Sequence, residues 1–286
     1  MCEHSPLMTP DNRRKGQTIL AKQAANVVRS LCFLAFISAC QARESAPGAP
    51  AGAAGAPAAE RAYHPPPKIV SMAPTAGAIA IDGVAAPGAR VRVASPSGAV
   101  LFTQADRKGR WRLMIARSTK VRLFGVSMTE AGRTIQSEGY LVIPPTGPAA
   151  QLRAGSGAVV FAQPAPGLRL LAVDYDGKGG AVVSGVAPSG AGLTLEVDGA
   201  PRATTRADTQ GRFSMALDEP PFVGGHDLVV VSGASQAEVT APTSQTPARP
   251  APFEASPSDG GWRIDWMTPG GGAQTTLVLG ESGRSK

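Results

Sequence analysis

Two stretches of the 286-residue chain decide how it folds: residues 83–117, GVAAPGARVRVASPSGAVLFTQADRKGRWRLMIAR, and residues 185–219, GVAPSGAGLTLEVDGAPRATTRADTQGRFSMALDE. They align without a gap at a constant offset of 102, with ten identities over 35 positions. Gly83-Val84-Ala85 matches Gly185-Val186-Ala187, and Gly88-Ala89 matches Gly190-Ala191. Thr103 matches Thr205, Ala105-Asp106 matches Ala207-Asp208, and Gly109-Arg110 matches Gly211-Arg212. Where the residues differ, apolar character is kept: Val91/Leu193, Val93/Leu195, Trp111/Phe213, Leu113/Met215 and Ile115/Leu217. The body of the chain is a repeat.

Within each copy the apolar positions alternate with polar ones. Val91 and Val93 face one way and Arg90 and Arg92 the other; Trp111, Leu113 and Ile115 repeat the pattern, as do Val121 and Leu123. A half-buried strand places successive side chains on opposite faces, so this period of two predicts strands. Pro87-Gly88, Pro96-Ser97-Gly98, Asp106 to Gly109 and Glu130 to Gly132 punctuate them. Short strands broken by turn signals roughly every 8–12 residues predict an all-β sandwich. In the second copy Leu193, Leu195 and Val197 follow suit. Asp106 and Asp208 are placed to bond their own turns, with Gly109 and Gly211 at positive φ, and Trp111 and Phe213 are core anchors.

The pattern Gly-x-Ala-x-Pro-Gly-Ala, an alternating strand, then Ala-Asp-x-x-Gly-Arg-Trp resembles bacterial immunoglobulin-like repeats of cell-surface proteins. Its outline is also similar to carboxypeptidase-regulatory-like modules, another small β-sandwich. The second copy departs by placing Pro188-Ser189 before Gly190 and Phe213 for the tryptophan. The resemblance implies two immunoglobulin-like modules in tandem, at 66–145 and 158–241, and neither family's repeat implies catalysis.

Upstream, Arg13, Arg14, Lys15, Lys22 and Arg29 precede a short apolar run, LCFLAFISA at 31–39. Positive charge followed by roughly 7–15 apolar residues is the layout of a secretory signal peptide. Ile37-Ser38-Ala39-Cys40 resembles the lipobox of bacterial lipoproteins, although its basic region, at 30 residues, is longer than that family's. The resemblance implies a signal peptide over 1–39, cleavage before Cys40 and lipid attachment at its thiol. Gln41 in place of Asp implies the outer membrane, on its periplasmic face. Residues 40–65, which include APGAPAGAAGAPAA at 46–59, cannot bury a core and are expected to be a disordered tether. As a Gly-rich coil, residues 41–65 span about 25–30 Å.

Residues 146–157 and 242–260 read as linkers from their Pro, Gly and polar content. In the final segment, 261–286, Trp262-Arg263-Ile264-Asp265-Trp266 alternates and Thr275 to Leu279 follows a glycine-rich turn. That predicts a hairpin with both tryptophans on one face, packed on a module, or alternatively docking a partner through Trp262 and Trp266. Isolated hairpins are only marginally stable, so one of the two is needed.

The candidate chemistry is sparse. All three cysteines, Cys2, Cys32 and Cys40, lie in the first 40 residues, and the histidines are His4, His64 and His226. That composition excludes a cysteine or histidine-cluster metal site in a module, and no metal or cofactor is expected. Asp174-Tyr175-Asp176-Gly177-Lys178 begins like a calcium loop but has Lys178 and Gly185 where oxygen ligands belong, so it reads as a turn. His226-Asp227 lacks a nucleophile elbow, and a hydrolase is the weakest of three function classes. No catalytic residue is assigned.

Charge is more informative. Residues 66–145 hold 11 Lys/Arg and 4 Asp/Glu, net +7, whereas residues 151–245 hold 6 and 9, net −3. Arg90/Arg92, Arg110/Arg112 and Lys120/Arg122 each sit two apart, predicting one basic face opposite the apolar set. The expected partners of an exported protein with such a face are anionic lipid, peptidoglycan or another envelope protein, not nucleic acid. The chain therefore reads as a lipid-anchored envelope protein with a structural or binding role; its alternative is an accessory subunit of an envelope complex docking through the Trp262/Trp266 hairpin.

Overall fold

A computed structural model describes residues 64–161, 167–217, 223–250 and 252–280. The expected signal peptide, the lipobox-like Ile37-Ser38-Ala39 with Cys40, and nearly all of the expected tether lie outside the described residues.

The first repeat forms β1 (Lys68–Pro74), β2 (Ala78–Val84), β3 (Arg90–Ala94), β4 (Val100–Gln104), β5 (Arg110–Ala116), β6 (Arg122–Glu130) and β7 (Arg133–Ile143). Two short strands follow, β8 (Ala149–Leu152) and β9 (Val159–Phe161). The second repeat forms β10 (Arg169–Asp176), β11 (Ala181–Val186), β12 (Gly192–Val197), β13 (Ala200–Arg206), β14 (Arg212–Leu217), β15 (Gly224–Ser232) and β16 (Ser235–Thr243). The last three strands are β17 (Phe253–Ser258), β18 (Gly261–Met267) and β19 (Ala273–Leu279). Every described element is a strand, and the protein is all-β.

The repeat holds strand by strand. In the first copy β1-β2-β5 make one sheet and β4-β3-β6-β7 belong to a second; in the second copy β10-β11-β14 and β13-β12-β15-β16 correspond. This three-plus-four arrangement of antiparallel strands is an immunoglobulin-like sandwich. The turn before β5 and the turn before β14, the edge strands of their sheets, are the same. Asp106 accepts the N–H groups of Lys108 (2.7 Å) and Arg110 (2.9 Å), and Asp208 those of Gln210 (2.8 Å) and Arg212 (2.8 Å). Gly109 and Gly211 take φ of 76° and 74°, and a Cβ on either would strike the carbonyl of Ala85 or Ala187.

The modules do not end where the alternation does. β8 and β9 extend the second sheet to β4-β3-β6-β7-β8-β9, and β19, β18 and β17 extend the third to β14-β11-β10-β19-β18-β17. Stretches that composition marks as linkers, 146–157 and 242–260, thus carry β8 and β17. The reason is local: Ala149, Ala150 and Leu152 are buried, and β17 tolerates Pro257 because it is an edge strand, where no ladder N–H is needed. The C-terminal hairpin of β18 and β19 packs within the second module's sheet, Trp262 opposite Val278 and β19 beside β10.

Three apolar layers lie between the four sheets. The first sheet and the second enclose Ile81, Val91, Trp111, Phe124 and Met128. The third and fourth enclose Val183, Leu195, Phe213, Met215 and Leu228. Between them, the outer faces of the second and third sheets bury Leu123, Val142, Leu152, Ile264, Trp266 and Val278. Each fully buried side chain of this kind contributes about 1.5–3 kcal/mol, so the middle layer ties the modules together rather than leaving them as beads.

Candidate functional site

The six basic residues expected on one face are divided. Arg90 and Arg92 lie on β3 in the second sheet, Arg110 and Arg112 on β5 in the first, so the two pairs leave opposite sides of one sandwich. Arg110 pairs with Asp106 at 3.1 Å. Arg112 grips Asp82 through two bonds, 2.6 and 3.0 Å, which raise the Arg112 pKa and hold the Asp82 carboxyl below its ordinary value. The Arg90 guanidinium lies 3.8 Å over the Phe102 ring, beside exposed Val100. Lys120 is exposed just before β6.

Arg122 goes elsewhere because β6 is apolar on both sides. Leu123 faces the middle layer and Phe124 the first module's core. The alternation therefore runs one residue out of step with the sequence expectation. Arg122 shares the face of Phe124, 5.6 Å from its ring, and points to the end of the sandwich rather than across its outer surface. There its Nη2 donates to the Ala116 carbonyl at 2.7 Å, while its buried Nε has no acceptor among the described residues. Burial lowers its pKa.

The tryptophans are not an open docking face. Trp266 is fully buried, stacked edge-on to Tyr140 with centroids 5.8 Å apart, and its Nε1 donates to Thr276. Trp262 donates its Nε1 proton to the Thr146 carbonyl at 3.0 Å. Both serve the contact between the modules.

Two buried polar clusters lie on the same strands. Asp174 accepts from the Ala158 N–H (2.7 Å), Gln274 (3.1 Å) and Thr276 (2.5 Å), joining the segment before β9 to β10 and β19. Burial pushes its carboxyl up to about 6. Asp174 is thus withdrawn from the calcium-like loop, in which Asp176 instead bonds the N–H groups of Lys178 and Gly180. On the other face of the third sheet, Arg263 makes paired bonds to Asp265 (2.9 and 2.8 Å) and reaches the Tyr175 hydroxyl (2.7 Å) and Ser244 (2.5 Å). Burial opposes the Arg263 charge, but Asp265 and Tyr175 together outweigh it and raise the pKa. The sequence carries one signal for both clusters: acidic residues set inside otherwise apolar strands.

His226 pairs with Asp198 at 2.8 Å across the β12–β13 turn, while Asp198 also accepts the Asp227 N–H at 3.0 Å. The pair clamps a turn in which Asp198 has φ of 51°. Among the described residues no group of three or more His, Cys, Asp or Glu is placed to hold a metal ion. None of the described elements is a helix long and apolar enough to cross a membrane.

A cleft of about 630 Å³ lies where the end of the first sandwich meets β10 and β19. Met72, Ile79, Phe161 and Leu279 give it apolar walls, Pro144, Pro145 and Pro148 a stiff rim, and Arg117, Arg122 and Arg169 its charge. Among the described residues no Asp, Glu or Lys lines it.

No family model matches the chain, and no curated protein matches it. Among solved structures it is similar to the central fibronectin-III array of RIM-binding protein, with 17% identity over 77% of this chain and 87% of that one, at a TM-score of 0.25. It is also similar to the BSP domain of a biofilm-associated protein, with 14% identity over 59% of this chain and 28% of that one, at a TM-score of 0.22. The sandwich architecture rests on the strand order and cores described above.

Proposed function

We propose that the chain is an exported, lipid-anchored protein of the cell envelope, with a structural or binding role and no catalysis of its own. The observation that carries this reading is Cys40 at the end of the basic-then-apolar leader, followed by a spacer and then by sandwich modules. Two or more acyl chains give stable attachment, each buried CH₂ contributing about 0.8 kcal/mol. The tether holds the modules off the periplasmic face of the outer membrane. Partners are anionic lipid, peptidoglycan or another envelope protein, met by the exposed Arg90, Arg92 and Phe102 group on the second sheet. An accessory subunit docking through the hairpin is disfavoured, because Trp266 is sealed inside the protein.

The test is metabolic labelling with palmitate in a host that processes the leader. Wild type is expected to incorporate label and to lose the leader; Cys40→Ser is expected to do neither. Normal processing of that variant without label would remove the anchor from the reading.

A further inference from the structure

We propose that the cleft between the modules binds a soluble, single-chain anionic amphiphile, its carboxylate or phosphate head taken by Arg117 and Arg122 and its apolar body lying against Met72, Ile79, Phe161 and Leu279. This goes beyond the envelope reading and does not depend on the anchor.

The size is right: ligand pockets occupy roughly 300–1,000 Å³, are mostly apolar and carry a few placed polar groups. The cleft measures about 630 Å³ and sets apolar walls beside three arginines. Its electrostatics select the sign of the ligand. Arginines line it, and among the described residues no carboxylate does. Arg122 is the informative member. Half-buried cations are normally paired, because desolvating a charge without a partner is costly. Arg122 makes one bond, from Nη2 to a backbone carbonyl, and its buried Nε has no acceptor among the described residues, so its charge is left largely uncompensated. Its Nη1, bonded to no acceptor among the described residues, is the donor that remains for a carboxylate or phosphate oxygen. Arg117 stands at the same rim, its side chain exposed and in no ion pair among the described residues. The apolar walls explain why an amphiphile fits better than a bare anion: an inorganic ion would leave the half-buried Ile79 and Phe161 partly facing water.

The geometry also says why the site is in this position. Its walls come from β1, β2, the β7–β8 connection, β9 and the end of β19, so it exists only where the two modules are locked together by the middle core. Neither sandwich alone builds it.

The experiment is calorimetry on the full chain made by cell-free translation without membranes, so that no thiol is acylated. The probes are decanoate and octyl phosphate below their micelle concentrations, with octanol, octyltrimethylammonium and inorganic phosphate as controls. One site is expected for decanoate or octyl phosphate, with affinity at least about tenfold above every control, since a charge-assisted hydrogen bond carries that order of discrimination. Arg117→Gln and Arg122→Met are each expected to weaken binding about tenfold or more, while Arg133→Gln leaves it unchanged. Arg117 is exposed, so its variant keeps the proposal testable if Arg122→Met unfolds. No binding of either amphiphile overturns the proposal. Equal binding of octanol overturns the anionic selectivity, and equal binding of inorganic phosphate overturns the apolar subsite. Arginine-dependent sedimentation with phosphatidylglycerol vesicles, with no binding of decanoate or octyl phosphate, overturns a soluble ligand in favour of a bilayer surface.

Discussion

The indole of Trp111 fills the space that a side chain at Gly83 would need. The two residues face each other across β2 and β5, and a Cβ at Gly83 would overlap the ring. The second module repeats the relationship with Phe213 and Gly185. The glycine and the aromatic are therefore one unit, conserved between the copies by packing and not by turn chemistry. Gly83→Val and Gly185→Val are expected to destabilise as much as removing the ring itself, about 3–5 kcal/mol for Trp111→Ala or Phe213→Ala. Chemical denaturation reads this directly. A Gly83→Val protein with wild-type stability would mean that the ring moves aside freely.

The Asp-x-x-Gly turns give a smaller effect of known direction. Asp106→Ala and Asp208→Ala each strip the acceptor from two turn N–H groups and are expected to lower the melting temperature, by less than the core substitutions do. Asp106→Asn keeps an acceptor oxygen and is expected to recover most of that loss. Thermal melting of the three variants checks the order.

Trp266→Ala tests the middle core. The side chain is fully buried between the second and third sheets, and its truncation is expected to cost about 3–5 kcal/mol. Because that layer couples the modules, wild type is expected to unfold in one transition and the variant in two. Calorimetry that finds a single transition in both would place the coupling elsewhere.

Asp174 makes stability depend on pH. Its native carboxyl is raised to about 6 from the ordinary 3.8 by burial. The native state therefore holds a proton that the unfolded chain releases, and stability falls as pH rises through about 6. The gain is fully present below 3.8 and absent above neutrality. The wild-type protein is expected to gain on Asp174→Asn by on the order of 2 kcal/mol as pH drops from 7 to 4. Urea titrations of both proteins at several pH values measure the difference; parallel curves would show that Asp174 titrates normally.

Arg263 and Asp265 are expected to depend on one another. Both are largely buried, and Arg263→Leu leaves the Asp265 carboxylate without its main partner, at a cost of about 3–5 kcal/mol. The double variant Arg263→Leu with Asp265→Leu is expected to regain part of that loss, because no lone charge is left inside. A double variant worse than the sum of its parts would mean that the pair is not the unit.

The sequence by itself determined the two sandwich modules, their offset, their turns and their core anchors. Each of these depends on neighbours close along the chain: alternation tells which face of a strand is apolar, and Asp-x-x-Gly closes its own turn. It did not determine which basic residues share a surface, since β3 and β5 fall in different sheets only once the sandwich closes. Nor did it reveal the middle core. β6, β7, β10 and β19 bury both faces, and a period of two can assign only one; this is why the alternation puts Arg122 on the outside, whereas the folded strand places it on the face of Phe124. The strands that complete that core, β8 and β17, are short and set among Pro and Gly, and they become strands only because an existing sheet edge supplies their hydrogen bonds. Tertiary structure alone thus decided the joining of the modules, the burial of Trp266 and Asp174, and the cleft lined by Arg117 and Arg122, because each is made from residues that meet only when two complete sheets pack face to face.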